Sequence, residues 1–250
     1  MFTIAHQCVR VRRFGLIRMM VFGICAALLL PASGSARQLQ SVPPDAKGII
    51  VLFSGKEDEV GKNWLNSKQT GPAGWKFVDG AMQARGGDIV SKEKFTDYQL
   101  HVEFKVPYMP DKKGQARGNS GVFMQGRYEI QVLDSYGIAD PGNGDCGSVY
   151  GQSAPLVNAC KPPKEWQTYD ISFRAPRFDD EGKMAEPARV TVIQNGTAVQ
   201  NNTIIKGPTW GESFGKLSEP GPIVLQDHGN PVEYRNIWIL PLPLKGASHY

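Results

Sequence analysis

Glu129, Gln131 and Asp134 lie within one stretch, RGNSGVFMQGRYEIQVLDSYG, from Arg117 to Gly137. Two carboxyls so close together could supply an acid and a base. Their use depends on which way the chain points them. Tyr128 to Asp134 reads as a β-strand, because β-branched Ile130 and Val132 alternate with Glu129 and Gln131. Strand side chains alternate between faces, so Glu129 and Gln131 share one face and the apolar pair takes the other. Asp134 falls with the apolar pair unless a β-bulge between 131 and 134 turns it back. With that bulge, a Glu–Gln–Asp row would stand on one exposed sheet face, an arrangement suited to acid/base work on a sugar. A plain alternative fits the same residues: a half-buried strand with a solvated face, and an Asp opening a turn.

A second polar cluster is Gln226-Asp227-His228-Gly229. By alternation Gln226 and His228 share a face, and His228 ends a strand, where it could reach into a cleft. Histidine with a carboxylate partner can act as a base near neutral pH; a hydrogen-bonded strand-end histidine is the alternative. His101 and Glu103 fall on the polar side of Tyr98–Val106, the clearest alternation in the chain, and are expected on a solvated face.

The elements that must carry these residues are short strands. Ile49–Phe53 is a buried run, and Glu57 to Thr70 after it reads as charged, irregular chain. Trp75–Val78 and Ala81–Ala84 flank Asp79-Gly80, and Arg189–Gln194 and Ala198–Ile205 flank Asn195-Gly196, both two-residue hairpin signals. Asp88–Ser91, Ser120–Gln125, Trp166–Arg174, Ile223–His228 and Glu233–Leu240 complete the set, and 135–165 is a long Gly- and Pro-rich loop of functional length. No segment sustains a 3.6-residue apolar period, and no internal repeat is present. Ten or more strands with almost no helix predict an all-β, antiparallel β-sandwich or barrel, of ordinary size for one domain.

Arg10, Arg12, Arg13 and Arg18 precede an apolar run from Met19 to Leu30, Pro31 and small residues through Ala36. This describes a secretory signal peptide over 1–36, too short in its apolar core for a comfortable membrane span. Residues 37–48 read as a flexible start, 49–242 as the domain and 243–250 as a tail. The chain is formally +4, but the leader holds four Arg and no acid, leaving 24 basic and 24 acidic residues. The mature charge is therefore zero, which gives no reason to expect nucleic acid or an anionic membrane as partner. The mature chain keeps Cys146 and Cys160. An even pair in an exported chain predicts one disulfide, worth about 3 kcal/mol by loop closure, pinning 142–160 beside the candidate site. No zinc site is expected; the Asp-rich turns Asp134–Asp145 could take Ca²⁺ through oxygen ligands, although no spacing specifies a metal. The oligomeric state is not encoded legibly.

The run GPIVLQDHGNPVEYRNIWILPL, Gly221 to Leu242, resembles the closing signature of the 3-keto-disaccharide hydrolase domain family, within the concanavalin A-like superfamily. LFSGK (Leu52–Lys56), GWKFVDGAM (Gly74–Met82), GNSGVFMQ (Gly118–Gln125), YEIQVLD (Tyr128–Asp134), GSVYGQSAP (Gly147–Pro155), the Trp166 strand and VTVIQNG (Val190–Gly196) match in the same order. The resemblance covers nearly all of 49–242. It implies a concanavalin A-like jelly-roll sandwich, exported to the periplasm or medium, that cleaves glycosides whose sugar carries a ketone at carbon 3. Such a ketone acidifies the C2 proton, so one base can start an elimination that water completes. On the matching positions, Glu129 or His228 would be the base. Arg117, Asn119 or Gln226 would hold the developing oxyanion, and Asp134 or Tyr150 would assist departure, with Gln131 and Trp166 as further sugar contacts. Ser54-Gly55 stands where the family has Asn-Gly, a peripheral difference; Gln167 stands where it has Asn, which bears on substrate identity more than on fold.

Two other readings share the fold. Glu129-x-Gln131-x-x-Asp134 has the spacing of the laminarinase-type motif, which would make a retaining β-glucanase if its carboxyls stood about 5 Å apart. A lectin-like module without catalysis would use Trp64, Tyr136, Tyr150 and Trp166 as sugar platforms.

Overall fold

A computed structural model describes residues 47–209 and 214–243. The expected leader, the flexible start before 47 and the tail from 244 lie outside the described residues. In chain order the elements are β1 (Ile50–Phe53), α1 (Glu57–Asn63), β2 (Trp64–Asn66), β3 (Lys76–Val78), β4 (Ala81–Gln83), β5 (Ile89–Phe95) and β6 (Tyr98–Lys105). A 3-10 turn at Gly114–Ala116 precedes β7 (Ser120–Met124) and β8 (Tyr128–Val132). Then come β9 (Gln167–Arg174), β10 (Arg177–Phe178), β11 (Met184–Glu186), β12 (Arg189–Gln194), β13 (Thr197–Ile204), β14 (Gly221–Leu225) and β15 (Glu233–Pro241).

All pairings are antiparallel. A larger sheet runs β13-β12-β9-β6-β15-β4-β3 with β1 added against β15, and a five-stranded sheet runs β2-β5-β14-β7-β8. The apolar side of each alternation faces the space between them. Tyr98, Leu100, Val102 and Phe104 of β6 meet Val122, Met124, Ile130, Val132, Ile223 and Leu225 of the smaller sheet in one core. The fold is thus the expected antiparallel sandwich. Both hairpin signals hold for a stated reason: Asp79 and Gly80, and Asn195 and Gly196, all adopt positive φ, as a turn matched to strand twist requires.

Three expectations are corrected. The charged stretch after β1 forms the short helix α1 rather than irregular chain, with Glu59 closing its first turn onto Ser54 and Lys56. His101 and Glu103 are not solvated; they are 2% and 4% exposed. His101 stacks on Trp238 and bonds Asp170 at 2.6 Å, while Glu103 accepts from Arg235 and Asn236. Burial pulls the His101 pKa down, but bonds to Asp170 and Glu103 outweigh it and raise the value to about 9. Burial likewise pushes Glu103 up, and its bonds to His101, Asn236 and Arg235 bring it down to about 2.

The disulfide is the third correction. Cys146 and Cys160 are both free thiols. Cys146 Sγ contacts the Tyr169 hydroxyl at 3.1 Å, and Gln194 Nε2 reaches both sulfurs at 3.6 and 3.4 Å. The loop the disulfide was to pin is held instead by main-chain bonds to the free edge of β8: Gln131 N–H to Ser148 O, Gly147 N–H to Gln131 O and Tyr150 N–H to Glu129 O. No helix among the described residues is long and apolar enough to cross a membrane.

Candidate active site

A cavity of about 180 Å³ opens on the outer face of the smaller sheet, lined by Gln115, Asn119, Glu129, Gln131, Tyr150, Gln226 and His228. Strand alternation places most of it. Tyr128, Ile130 and Val132 fill the core, so Glu129 and Gln131 must face outward. The loop paired to the edge of β8 delivers Tyr150 beside them. Gln226 follows β14, its N–H bonded to Gly121 O and its carbonyl to Ser120 Oγ at 2.5 Å. His228, exposed, stands at the mouth.

Glu129 is the only carboxylate lining the cavity among the described residues. It is 4% exposed, and burial, followed by the charge of Asp88, raises its pKa to about 8. Asp88 is itself pushed up by burial, although it accepts the Asp227 N–H. Space for the Glu129 carboxyl comes from Gly121 on the neighbouring strand, where a Cβ would collide with it. The segment from Phe214 to Glu219 is tied down by Arg127. This side chain is 1% exposed, and its guanidinium donates to the carbonyls of Phe214, Lys216 and Glu219. Thr209 Oγ1 accepts the Glu129 N–H at 2.9 Å.

The structure therefore gathers Glu129, Asn119, Gln131, Tyr150, Gln226 and His228, and sets three expected residues elsewhere. The bulge that would return Asp134 does not form: β8 pairs with β7 in unbroken register and ends at Val132. Asp134 faces Arg117 instead, Nε to Oδ2 at 3.2 Å, and Arg117 also donates to the Asp134 carbonyl at 2.7 Å, so both are spent on each other. Trp166 lies by the larger sheet, its ring between Arg235 at 3.9 Å and Lys105 at 4.8 Å. Of the other aromatic platforms, Trp64 is fully buried with its Nε1 on the Leu52 carbonyl. Gln115, Asp88 and Arg127 belong to the site without a sequence signal. Gln115 sits in a 3-10 turn, and the contacts of the other two span loops whose course the pattern does not fix.

Among the described residues no three His, Cys, Asp or Glu are grouped to hold a metal ion. In the Asp-rich turns, Asp145 accepts from Ser135 Oγ and the Gly142 N–H.

A model of the 3-keto-alpha-glucoside-1,2-lyase-like domain family matches residues 48–240. The chain belongs to this family. A Bacteroides thetaiotaomicron protein named 3-keto-disaccharide hydrolase is 25% identical over 239 residues, covering 78% of this chain and 79% of that protein. A Parabacteroides distasonis structure provisionally described as a glycosyl hydrolase is 44% identical, with a TM-score of 0.70 over 78% of this chain and 84% of that one. A second structure from the same organism, 21% identical with a TM-score of 0.55, supports the fold. At this level the family gives the domain a glycoside hydrolase-like function, and the cavity is lined by four amides, a carboxyl, a phenol and an imidazole, groups able to hydrogen-bond a carbohydrate.

Proposed function

We propose that this domain cleaves 3-keto-glycosides by elimination followed by hydration, with Glu129 as the base. The observation that carries the reading is the buried carboxyl of Glu129, the one carboxyl lining the cavity among the described residues, which accepts no hydrogen bond from them and has a pKa of about 8. A carboxylate stripped of solvent is a stronger base, and its pKa lies close to working pH. Glu129 takes the proton from C2, and the C–H electron pair forms the C2=C3 enolate on the ketone oxygen. The enolate collapses to a C1=C2 enone, the C1–O bond breaks and the leaving oxygen gains a proton. Water then adds across C1=C2 and the free 3-keto-sugar results.

Tyr150 and His228 line the same cavity, and in this reading one of them protonates the leaving oxygen. Gln226 lines it too, and its amide nitrogen donates to the enolate oxygen in this reading. Arg117 and Asp134, spent on each other, drop out of those roles. A double displacement would need a second carboxyl about 5 Å away, and none lines the cavity among the described residues. Export through the leader at 1–36 is part of the proposal and rests on the sequence pattern alone.

The test is aglycone release from p-nitrophenyl 3-keto-α-glucoside against pH. A base with a pKa of about 8 gives a limb that rises with pH near 8. A limb that falls there would make Glu129 the acid and move the base to His228. Glu129→Gln should abolish release while retaining binding.

A further inference from the structure

Side-chain amides usually leave open which end is oxygen. In one wall of the cavity the backbone removes that freedom. Gln115 Nε2 donates to the Gly144 carbonyl at 2.8 Å, so Gln115 Oε1 faces its neighbours. That oxygen accepts from Asn119 Nδ2 at 3.1 Å and from Gln131 Nε2 at 3.0 Å. Asn119 Nδ2 also donates to the Gln115 carbonyl at 2.7 Å, and Gln131 Oε1 accepts the Val132 N–H at 3.1 Å. The main chain of Asn119 is fixed too, its N–H on Asn230 Oδ1 at 2.9 Å. The wall's donors are thus committed within the wall. One atom of the wall is left over: Asn119 Oδ1 is buried and has no partner among the described residues, and Gln226 Oε1, of another residue lining the cavity, shares that condition. A buried acceptor without a donor carries an uncompensated desolvation cost, which a hydroxyl entering the cavity would relieve.

We infer that the Gln115–Asn119–Gln131 wall is a hydroxyl reader that selects a sugar ring by one free hydroxyl and thereby sets which way the ketone points. The inference rests on the keto-sugar reading of the same cavity and adds the ring's orientation to it. A ketone oxygen only accepts, so against Asn119 Oδ1 it would meet another acceptor. The ketone is therefore turned toward the donor-bearing side at Gln226 Nε2, Tyr150 and His228. At about 180 Å³ the cavity lies below the usual range for drug-sized ligands, and the inference assigns it one ring, the terminal unit of the glycoside. Gln115 is a positioning residue: its amide holds both neighbours in the one orientation that leaves the acceptor free.

The test deletes hydroxyls from the ligand. kcat/KM is measured for p-nitrophenyl 3-keto-α-glucoside and its 4-deoxy and 6-deoxy forms on the wild-type chain, Asn119→Ala and Gln115→Ala, with thermal midpoints to check folding. On wild type one deoxy form is expected to fall by about 10- to 100-fold. On both variants the same form should come within about twofold of the parent, the usual error of additivity. Equal treatment of all three ligands by wild type would overturn the inference. So would an Asn119→Ala variant that slows all three by one factor and keeps their ratio. If wild type releases the aglycone from none of them, the keto-sugar reading fails. The three ligands are then ranked by NMR titration, where a deoxy penalty that vanishes in Asn119→Ala upholds the wall and its absence overturns it.

Discussion

Gly121→Ala separates where the Glu129 carboxyl sits from what it is. Gly121 lies on β7, and its backbone is not in the left-handed region, so alanine is accommodated by the main chain. The added Cβ is not. It would stand 3.0 Å from Glu129 Cδ, closer still to Oε1, and 2.9 Å from Phe123 Cε2. Ordinary contact begins near 3.4 Å, so the carboxyl must withdraw by on the order of 1 Å, a misplacement that costs about a hundredfold in rate. Phe123 has little room to give, being packed with Val90, Val224 and Phe214. The crowding itself costs about 1–3 kcal/mol of stability. The assay is kcat/KM on p-nitrophenyl 3-keto-α-glucoside beside a thermal melt. A folded variant with about a hundredfold loss fits the account. A folded variant with wild-type kcat/KM would refute it, because the position of Glu129 would then not matter.

Glu129 also predicts how stability follows pH. Its native pKa of about 8 lies above the ordinary carboxyl value, so the native state holds the proton longer and stability falls as pH rises from about 4.5 toward 8. Glu129→Gln should flatten that fall in urea titrations. His101 is also raised, to about 9, but as a cation held by Asp170. Its contribution is complete below about pH 6.5 and lost as pH rises through 9, so Asp170→Asn should destabilise at pH 6 and have little effect at pH 10. Arg127→Ala removes the buried guanidinium from three carbonyls and should cost about 3 kcal/mol, with faster amide exchange at 214–219 and reduced turnover. Asp134→Asn should lower the melting temperature and leave kcat within about twofold, since Asp134 pairs with Arg117 away from the cavity.

The parts of the site that were legible are those set by strand period. Glu129 and Gln131 face outward because Ile130 and Val132 face in, and Gln226 shares its face with Val224 just as alternation requires. What failed needed information the period does not carry. Asp134 lies beyond the end of β8, where alternation stops and the pull of Arg117 decides. His101 and Glu103 follow the predicted face, but that face is covered by Trp238, Arg235 and Asn236 from β15, a neighbour distant in sequence. The thiol pair suggested a bridge because exported chains favour one, whereas edge pairing to β8 already holds the loop. Gln115 gave no signal, since its role is a set of contacts made by a turn.

The most direct test of the central claim offers the folded protein matched p-nitrophenyl α-glucoside and its 3-keto form, the latter also with deuterium at C2. The account predicts release from the keto form alone, slowed by the deuterium and absent in Glu129→Gln. Release from the plain glucoside, or from the keto form with no isotope effect and full activity in Glu129→Gln, would contradict it.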